Sequence, residues 1–283
     1  MITGATSIAA VIGSPVRHSL SPAIHNAGFA SLGVDWAYAA FEVAPGGGRD
    51  ALQAMRTLGL GGLSVTMPHK ETVAENVDLL APAAAALHSV NTVVRLADGR
   101  LEGHSTDGDG FVASLAAAGV DISGRSVAVV GAGAAARSVV DALVRHGAAS
   151  IAVLNRTPDR ARAAVELAGA IGRVGSEDDI VSSDIVVNAT SLGMSAAGTS
   201  SWDLPFDPAL LHAGHVVADL VYHPLETALL VAARARGAVT VDGLGMLIQQ
   251  AALQQELWVG MRPDADVMRA AALRELERRR QIA

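Results

Sequence analysis

Residues 126–137 have the sequence SVAVVGAGAAAR, and this stretch decides the fold predicted for the second half of the chain. The valines up to Val130 form a β-branched apolar run that predicts a buried strand. Gly131, Gly133 and Ala136 follow with the G-x-G-x-x-(G/A) spacing of a turn that leads into a helix and binds a dinucleotide. Amides at the helix N-terminus attract a pyrophosphate, and small side chains let it approach the backbone. Turns of small residues also join strands to helices for packing alone. The residues around this turn must therefore decide between packing and dinucleotide binding.

Short apolar runs alternate with helical patterns from this turn onwards, and such an alternation predicts βαβ units with a parallel sheet. The predicted strands lie near residues 127–130, 151–154, 185–188, 216–220 and 239–241. The first half of the chain also mixes strand and helix patterns. The predicted fold class is therefore α/β, with a Rossmann-type parallel sheet in the second half.

The residues that follow the second of these strands indicate which dinucleotide is bound. A fold selective for NAD usually carries Asp or Glu here to bind the ribose hydroxyls, whereas this chain has Asn155-Arg156-Thr157. Arg156, with Arg160 one helical turn later, can bind a 2′-phosphate bidentately and stack on adenine. The glycine turn, the strand and the basic residues agree, and they predict NADP as the cofactor.

A second candidate site lies in the loop after a short strand predicted at residues 8–12. The loop, residues 13–22, contains Ser19 and Ser21 on either side of a leucine. An extended backbone would point both hydroxyls the same way, towards a ligand. Ser21 and the proline after it also suit the N-cap and first turn of a helix, so a capping role is the alternative.

Thr66 and Lys70 lie at and just beyond the end of a strand predicted over residues 63–67, where ligands of open α/β sheets usually bind. A solvated surface lysine is the alternative interpretation of Lys70. Asp107 follows a strand predicted over residues 101–106 and opens a helix, so it suits either catalysis or an N-cap.

Amide side chains also lie within predicted elements. Asn91 lies inside a strand predicted over residues 88–95, where its amide bonds either to neighbouring backbone or to a ligand. Gln249 and Gln250 lie on a helix predicted over residues 247–259, and glutamines on such helices usually face solvent. The pattern alone therefore identifies none of these amides as a site residue.

The composition of the 283-residue chain disfavours nucleic acid as a partner. With a net charge of −7, a pI near 5.7 and 3% aromatic residues, the chain lacks both a basic surface and stacking side chains. The arginine run at residues 278–280 follows two glutamates in a helical pattern, which predicts a solvated helix end without a binding role.

The absence of cysteine excludes disulfides, thiolate nucleophiles and cysteine-ligated metals, and no metal site is predicted. It favours a cytoplasmic location. The apolar run near the N-terminus is too short for a signal peptide or a membrane span, so no membrane partner is expected. The length and the 51% apolar content suffice for two domains.

Nine segments, in order, resemble motifs of the shikimate dehydrogenase family and cover nearly the whole chain. The segments are GSPVRHSLSPAIHN, SVTMPHK, VNTV, STDGDGF, GAGAAAR, NRT, NATSLGM, DLVYHPLET and DGLGMLIQQAA. The resemblance implies NADPH-dependent reversible reduction of 3-dehydroshikimate to shikimate, in chorismate and aromatic amino acid biosynthesis. It implies two α/β domains with a cleft between them. These are a substrate domain, residues 1–107 completed by 245–283 through a returning C-terminal helix, and an NADP-binding domain, residues 108–244.

The resemblance also implies roles for individual residues. Ser19 and Ser21 bind the shikimate carboxylate, with Tyr222 as a further carboxylate contact. Lys70 and Asp107 form the catalytic pair, and which of them accepts the proton in oxidation stays open. The substrate hydroxyls are held by Thr66, Asn91, Asp107 and Gln250. The cofactor is contacted by Gly131, Ala132, Gly133, Ala134, Ala135, Ala136, Asn155, Arg156, Thr157, Arg160, Thr190, Gly243 and Met246.

The chain departs from the usual family pattern at three positions. It has Ser64 and Ser105 where the family usually has asparagine, and Ala134 where it often has glycine. The two serines do not alter the catalytic pair, but they can alter the substrate pocket. Quinate and aminoshikimate therefore stay open as preferred substrates. A non-catalytic NADP-binding module is the other alternative, and the presence of both catalytic residues disfavours it. The sequence leaves open whether the protein is a monomer or a homodimer.

Overall fold

The computed structural model describes residues 2–194 and 203–282, and its chain divides into two compact units. The first unit comprises Met1–Thr106 and Ile248–Ala283, and the second comprises Asp107–Leu247. Each unit is built on one six-stranded sheet combined with helices. The α/β fold class predicted from the sequence is therefore confirmed.

The first unit contains a mixed sheet. Its strands are β1 (Ser7–Gly13), β2 (Trp36–Glu42), β3 (Gly62–Val65), β4 (Leu79–Leu80), β5 (Thr92–Arg95) and β6 (Leu101–His104). The helices between them are α1 (Ser21–Leu32), α2 (Gly48–Leu58), α3 (Lys70–Asn76) and α4 (Pro82–Leu87). The strand order is β2-β1-β3-β5-β6-β4, with β1, β2 and β3 parallel and β5 antiparallel to both β3 and β6. The carboxyl ends of β1, β3 and β6 and the amino end of β5 therefore share one edge of the sheet.

The strand predicted over residues 88–95 is shorter in the structure and begins only at Thr92. His88 adopts a left-handed backbone conformation (φ 47°) that ends α4, so the chain cannot enter the sheet there. Asn91 lies directly before β5 and not inside a strand, which corrects the prediction, while its backbone carbonyl and amide bond to Val65 of β3 and His104 of β6.

The second unit contains a parallel sheet. Its strands are β7 (Ser126–Val130), β8 (Ser150–Leu154), β9 (Gly172–Val174), β10 (Ile185–Asn188), β11 (Val216–Asp219) and β12 (Val239–Val241). The helices are α5 (Asp107–Ala117), α6 (Ala134–Arg145), α7 (Pro158–Glu166), α8 (Glu177–Ser182), α9 (Ala228–Ala235) and α10 (Gly243–Val259), with single 3₁₀ turns at Gly169–Ile171 and Pro208–Leu210. The order β12-β11-β10-β7-β8-β9 is that of a Rossmann fold, in which the direction of winding reverses beside β7.

Alternate residues of β7 pack into two different apolar cores, one on each face of the second sheet. Val127 and Val129 belong to one core, and Ala128 and Val130 belong to the other. Because both faces are covered, the strand is apolar throughout and lacks the alternation of a half-exposed strand.

The C-terminal part of the chain completes the first unit. Helix α10 begins in the second unit, and its residues from Ile248 onwards belong to the first. Trp258, near the end of α10, donates from its indole nitrogen to the Val93 carbonyl of β5 at 3.0 Å. The last helix, α11 (Ala265–Ile282), packs against α1, so the predicted return of the C-terminal helix to the first domain is confirmed.

Candidate active site

Backbone hydrogen bonds draw three segments together at the edge of the first sheet where β1 and β3 end. The Ser14 amide donates to the Met67 carbonyl at 2.9 Å, and the Val90 amide donates to the Lys70 carbonyl at 3.0 Å. The loop after β1, the segment after β3 and the segment before β5 therefore share this edge. These segments carry the predicted site residues Ser19, Ser21, Thr66, Lys70 and Asn91.

Lys70 is the first residue of α3 and is half-buried. It is also the only lysine among the 21 lysine and arginine residues of the chain. An arginine side chain does not release its proton in a protein, whereas a lysine side chain can. A lysine at this edge is therefore able to transfer a proton, whereas an arginine in its place would not be.

Ser19 and Ser21 are half-buried at the start of α1, and the backbone between them is not extended, which was the condition for both hydroxyls to point the same way. Leu20 has helical backbone angles, so Ser21 is the first helical residue and not the N-cap. The Ser19 hydroxyl oxygen accepts a hydrogen bond from the Ser21 amide at 3.1 Å. Because this contact uses an oxygen lone pair, the Ser19 hydroxyl can donate its own proton to an anion.

Asn91 is 3% exposed, and neighbouring groups fix the orientation of its amide. Its Oδ1 accepts from the Thr106 amide at 2.9 Å and from the Thr92 hydroxyl at 2.8 Å. Its Nδ2 donates to the Thr106 hydroxyl at 3.0 Å. The local bonding to neighbouring groups, which the sequence left open, is therefore present.

Buried hydrogen bonds link Gln250 to Tyr38. The Tyr38 hydroxyl donates to Ser64 Oγ at 2.6 Å, and Ser64 Oγ donates to Gln254 Oε1 at 2.6 Å. Gln254 Nε2 then donates to Gln250 Oε1 at 2.8 Å. Gln250 is 8% exposed, so the pattern-based expectation that it faces solvent is wrong.

Tyr38 and Gln254 are contributors that the sequence did not identify. Gln254 follows Gln250 by one helical turn, a spacing that places both on one face of α10 and could have identified it. Burial raises the pKa of Tyr38, which keeps its hydroxyl protonated as a donor. Ser64, one of the three departures from the family pattern, is bonded on both sides within the protein, and through Gln254 it fixes the orientation of Gln250.

We expect Ser64→Ala to lower the free energy of unfolding by about 1–3 kcal/mol, because the Tyr38 hydroxyl and the Gln254 carbonyl would lose their partner in a buried site. Chemical denaturation measures this loss. Tyr38→Phe removes one of the same hydrogen bonds. The stability losses of the two single variants should therefore sum to more than the loss of the Ser64→Ala/Tyr38→Phe double variant. Strict additivity would show that the serine and the tyrosine do not interact.

The glycine turn of the second unit lies at the carboxyl edge of the parallel sheet. Val130, the last residue of β7, is level with Leu154 of β8 on one side and with Asn188 of β10 on the other. Gly131 has φ 117°, and a Cβ there would lie 2.8 Å from the carbonyl group of Ala189. Only glycine combines this backbone conformation with so close an approach of the neighbouring loop.

The small residues after Gly131 divide into two groups. Ala132 and Ala136 are buried in the core that contains Val127, whereas Gly133 and Ala134 are exposed at the start of α6. Ala135 is half-buried between them. A Cβ at Gly133 would meet no atom within 4 Å, and α6 has no side-chain cap, so its first amides are accessible to an anion.

We expect Gly133→Val to raise the KM for NADP at least about tenfold, because the added side chain would stand where the pyrophosphate approaches the backbone. The thermal unfolding temperature should stay unchanged, since the protein leaves this space open. Steady-state kinetics with NADP and a melting curve measure both effects. An unchanged KM would place the pyrophosphate elsewhere.

Arg156 and Arg160 follow β8 and are exposed. The side chain of Asn155 donates to the Thr157 carbonyl at 2.9 Å and shapes the turn that presents Arg156. Within the described residues neither arginine forms an ion pair, whereas Arg162 on the same helix pairs with Asp159. Two unpaired guanidinium groups at this edge fit the phosphate of NADP.

Two buried residues that the sequence did not identify fix the loops after β10 and β11. The Thr190 hydroxyl donates to Asn188 Oδ1 at 2.7 Å, and Asn188 Nδ2 donates to Asp219 Oδ1 at 2.9 Å. Asp219 also accepts from the Thr227 hydroxyl at 2.7 Å, and burial raises its pKa. Thr190 is therefore held at the same edge as the glycine turn.

Other predicted residues of the second unit lie around this edge. Tyr222 is half-buried in the loop after β11. Gly243 begins α10 against the backbone of residues 220–221, where a Cβ would lie 2.6 Å from the Val221 carbonyl oxygen. Met246 packs against the core beneath β7.

Asp107 is the half-buried first residue of α5, which packs against α6. A Cβ at Gly108 would collide with the Ser138 carbonyl oxygen of α6, so glycine permits this close packing of the two helices. Asp107 and Lys70, the predicted catalytic pair, belong to different units of the structure. Within the described residues no group of three or more His, Cys, Asp or Glu side chains could hold a metal ion, and no helix is long and apolar enough to span a membrane.

A Rossmann sheet with a glycine turn and two arginines, together with a second sheet edge that carries a lysine, hydroxyls and amides, defines a dinucleotide-dependent dehydrogenase. Three family models match the chain: the shikimate dehydrogenase substrate binding domain at residues 11–93, shikimate / quinate 5-dehydrogenase at 114–195, and the shikimate 5′-dehydrogenase C-terminal domain at 243–273. The shikimate dehydrogenase (NADP(+)) of Thermococcus kodakarensis is 43% identical over 277 residues, which cover 96% of this chain and 98% of that protein. The chain belongs to the shikimate dehydrogenase family.

Solved structures agree with this assignment. Shikimate 5-dehydrogenase from Thermus thermophilus in complex with NADP(H) and shikimate has a TM-score of 0.87 and 37% identity, with 95% of this chain and 99% of that chain covered. Quinate dehydrogenase from Corynebacterium glutamicum in complex with NAD has a TM-score of 0.85 and 35% identity, with 95% and 99% covered.

Proposed function

We propose that this protein catalyses the reversible, NADPH-dependent reduction of 3-dehydroshikimate to shikimate, a step of chorismate and aromatic amino acid biosynthesis. The observation that carries the proposal is the edge of the first sheet at which backbone hydrogen bonds gather Ser19, Lys70 and Asn91. Arg156 and Arg160 support NADP as the cofactor. Membership of the family supports the substrate and the reaction.

In this proposal the first unit binds the substrate and the second unit binds NADP. The hydroxyls of Ser19 and Ser21 donate to the substrate carboxylate, with Tyr222 as a further contact. The substrate hydroxyls are bound by Thr66, Asn91, Asp107 and Gln250. Orientation of Gln250 by Gln254 and of Asn91 by Thr106 supports these roles, because a fixed amide loses little entropy when it binds a ligand.

Lys70 and Asp107 handle the proton in the proposed reaction. When bound, NADPH supplies the hydride that reaches the carbonyl carbon of the substrate. The Lys70 ammonium donates a proton to the carbonyl oxygen, which becomes the hydroxyl of shikimate, and the neutral amine regains its proton from solvent. The Asp107 carboxylate stabilises the ammonium form in the reductive direction.

Quinate or aminoshikimate is the second candidate for the preferred substrate. The observation in its favour is the pair of buried serines, Ser64 and Ser105, at positions where the family usually has asparagine. Ser64 bonds to Gln254, and Gln254 bonds to Gln250, the residue proposed to hold a substrate hydroxyl.

Initial rates of nicotinamide reduction with shikimate, quinate and aminoshikimate, each with NADP and with NAD, test the proposal. We expect the highest kcat/KM with shikimate and NADP. A higher kcat/KM with quinate or aminoshikimate would favour the second candidate. No turnover with any pair would contradict both and would favour a non-catalytic NADP-binding module.

A further inference from the structure

Arg279, on the C-terminal helix α11, bonds through its guanidinium group to the serine loop (residues 14–20), which carries Ser19. Arg279 Nη1 donates to the His18 carbonyl at 2.6 Å, and its Nη2 donates to the Ser19 carbonyl at 2.9 Å. Arg279 thus bonds two consecutive carbonyl groups that lie more than two hundred residues earlier in the chain. The prediction of a merely solvated arginine run is wrong at this position.

Glu275 holds the same guanidinium group from its other side. Arg279 Nε donates to Glu275 Oε1 at 2.7 Å, and the glutamate side chain is only 18% exposed. Hydrogen bonds from Arg278 and Arg279 lower the pKa of Glu275 to about 2, so it stays ionised at neutral pH. The guanidinium of Arg279 is therefore fixed by a carboxylate and two carbonyls, and charge-assisted bonds of this kind are strong and directional.

We propose that Arg279 is a positioning residue that holds the Ser19 loop in the conformation that binds the substrate carboxylate, which rests on the proposed function of Ser19. Peptide groups are planar, so fixing the carbonyls of His18 and Ser19 fixes the peptide planes on both sides of Ser19. This sets the direction of its Cα–Cβ bond and hence of the hydroxyl. A loop that is ordered before the substrate arrives loses less entropy on binding.

The neighbouring Arg278 offers a matched control. It bonds to the same glutamate, but its side chain is 61% exposed, and within the described residues none of its hydrogen bonds reaches the serine loop. Methionine retains much of the aliphatic stem of an arginine and removes the donors. Arg279→Met and Arg278→Met both remove a partner of Glu275, and only Arg279→Met also removes the hydrogen bonds to the loop.

We expect Arg279→Met to raise the KM for shikimate roughly three- to tenfold, with kcat and the KM for NADP changed by less than about twofold. Arg278→Met should leave all three constants unchanged. Glu275→Gln, which loosens the guanidinium without removing it, should raise the KM for shikimate by a smaller factor. Glu275→Gln also serves as the test if Arg279→Met does not fold, which melting curves of both variants would reveal.

An unchanged KM for shikimate in Arg279→Met would overturn the proposal. So would equal increases in Arg279→Met and Arg278→Met, or a parallel increase in the KM for NADP, since these would indicate a general loss of structure. Failure of the proposed function itself is distinguishable, because the unmodified protein would then not oxidise shikimate at all.

Discussion

Lys70→Ala should lower kcat by about two orders of magnitude or more, while the KM for shikimate changes little. In the proposed reaction the ammonium donates its proton to the carbonyl oxygen as the hydride reaches the carbon. Without it, water must supply that proton from a less favourable position. The backbone at this site is held by the bond from the Val90 amide, which the substitution does not remove. Steady-state kinetics in both directions measure the effect.

Lys70→Arg is the matched control for this prediction, because it keeps the positive charge but cannot release a proton at neutral pH. We expect its kcat to be as low as that of Lys70→Ala. A kcat near that of the unmodified protein would mean that the charge alone suffices, and near-normal turnover in Lys70→Ala would remove Lys70 from the mechanism. Melting curves of both variants exclude a loss of folding as the cause.

Arg156→Asp should lower kcat/KM with NADP about a hundredfold and raise kcat/KM with NAD. The substitution removes a bidentate partner of the 2′-phosphate, and charge-assisted hydrogen bonds contribute about 1.5–3 kcal/mol each. The new carboxylate repels the phosphate and can accept hydrogen bonds from the ribose hydroxyls of NAD. The ratio of the two kcat/KM values, measured with shikimate at saturation, gives the change in selectivity.

Arg162→Ala is the control for a general loss of positive charge on α7. Arg162 is exposed on the same helix and pairs with Asp159, so its loss should leave the selectivity unchanged. A decrease of less than about threefold in Arg156→Asp would mean that Arg156 makes no bidentate contact with the phosphate. Arg160 would then be the residue to test.

The elements that the sequence predicted well are those whose signal is local. The apolar run of β7, the glycine turn and the start of α6 lie within residues 126–137, and the structure places them as expected. The same holds for β8 and the arginines after it. The sequence does not predict β4, which has only two residues, or β9, whose three residues are a glycine, an arginine and one β-branched valine.

Other features depend on contacts between distant parts of the chain. The pattern puts Asn91 inside a strand because the apolar residues around it continue the alternation, whereas the left-handed His88 ends α4 and β5 begins only at Thr92. Gln250 appeared solvent-facing because helical periodicity does not show what packs against α10. Its orientation depends on Ser64, almost two hundred residues away from Gln254 in the chain.

The role of Arg279 was beyond sequence reasoning for the same reason. An arginine run after glutamates has the pattern of a solvated helix end, and Arg278 has that environment. Arg279, the next residue, faces α1 and the serine loop because α11 packs on that helix. Which of two adjacent arginines binds the loop is decided by helix rotation, which the sequence alone does not specify.

The reductive reaction itself tests the central claim most directly. The purified protein is mixed with 3-dehydroshikimate and NADPH, nicotinamide oxidation is followed by absorbance, and the product is identified by chromatography against authentic shikimate. We expect NADPH to be consumed in equal amount to the shikimate formed, with much slower consumption of NADH. Absence of NADPH oxidation, or a product other than shikimate, would contradict the proposed function.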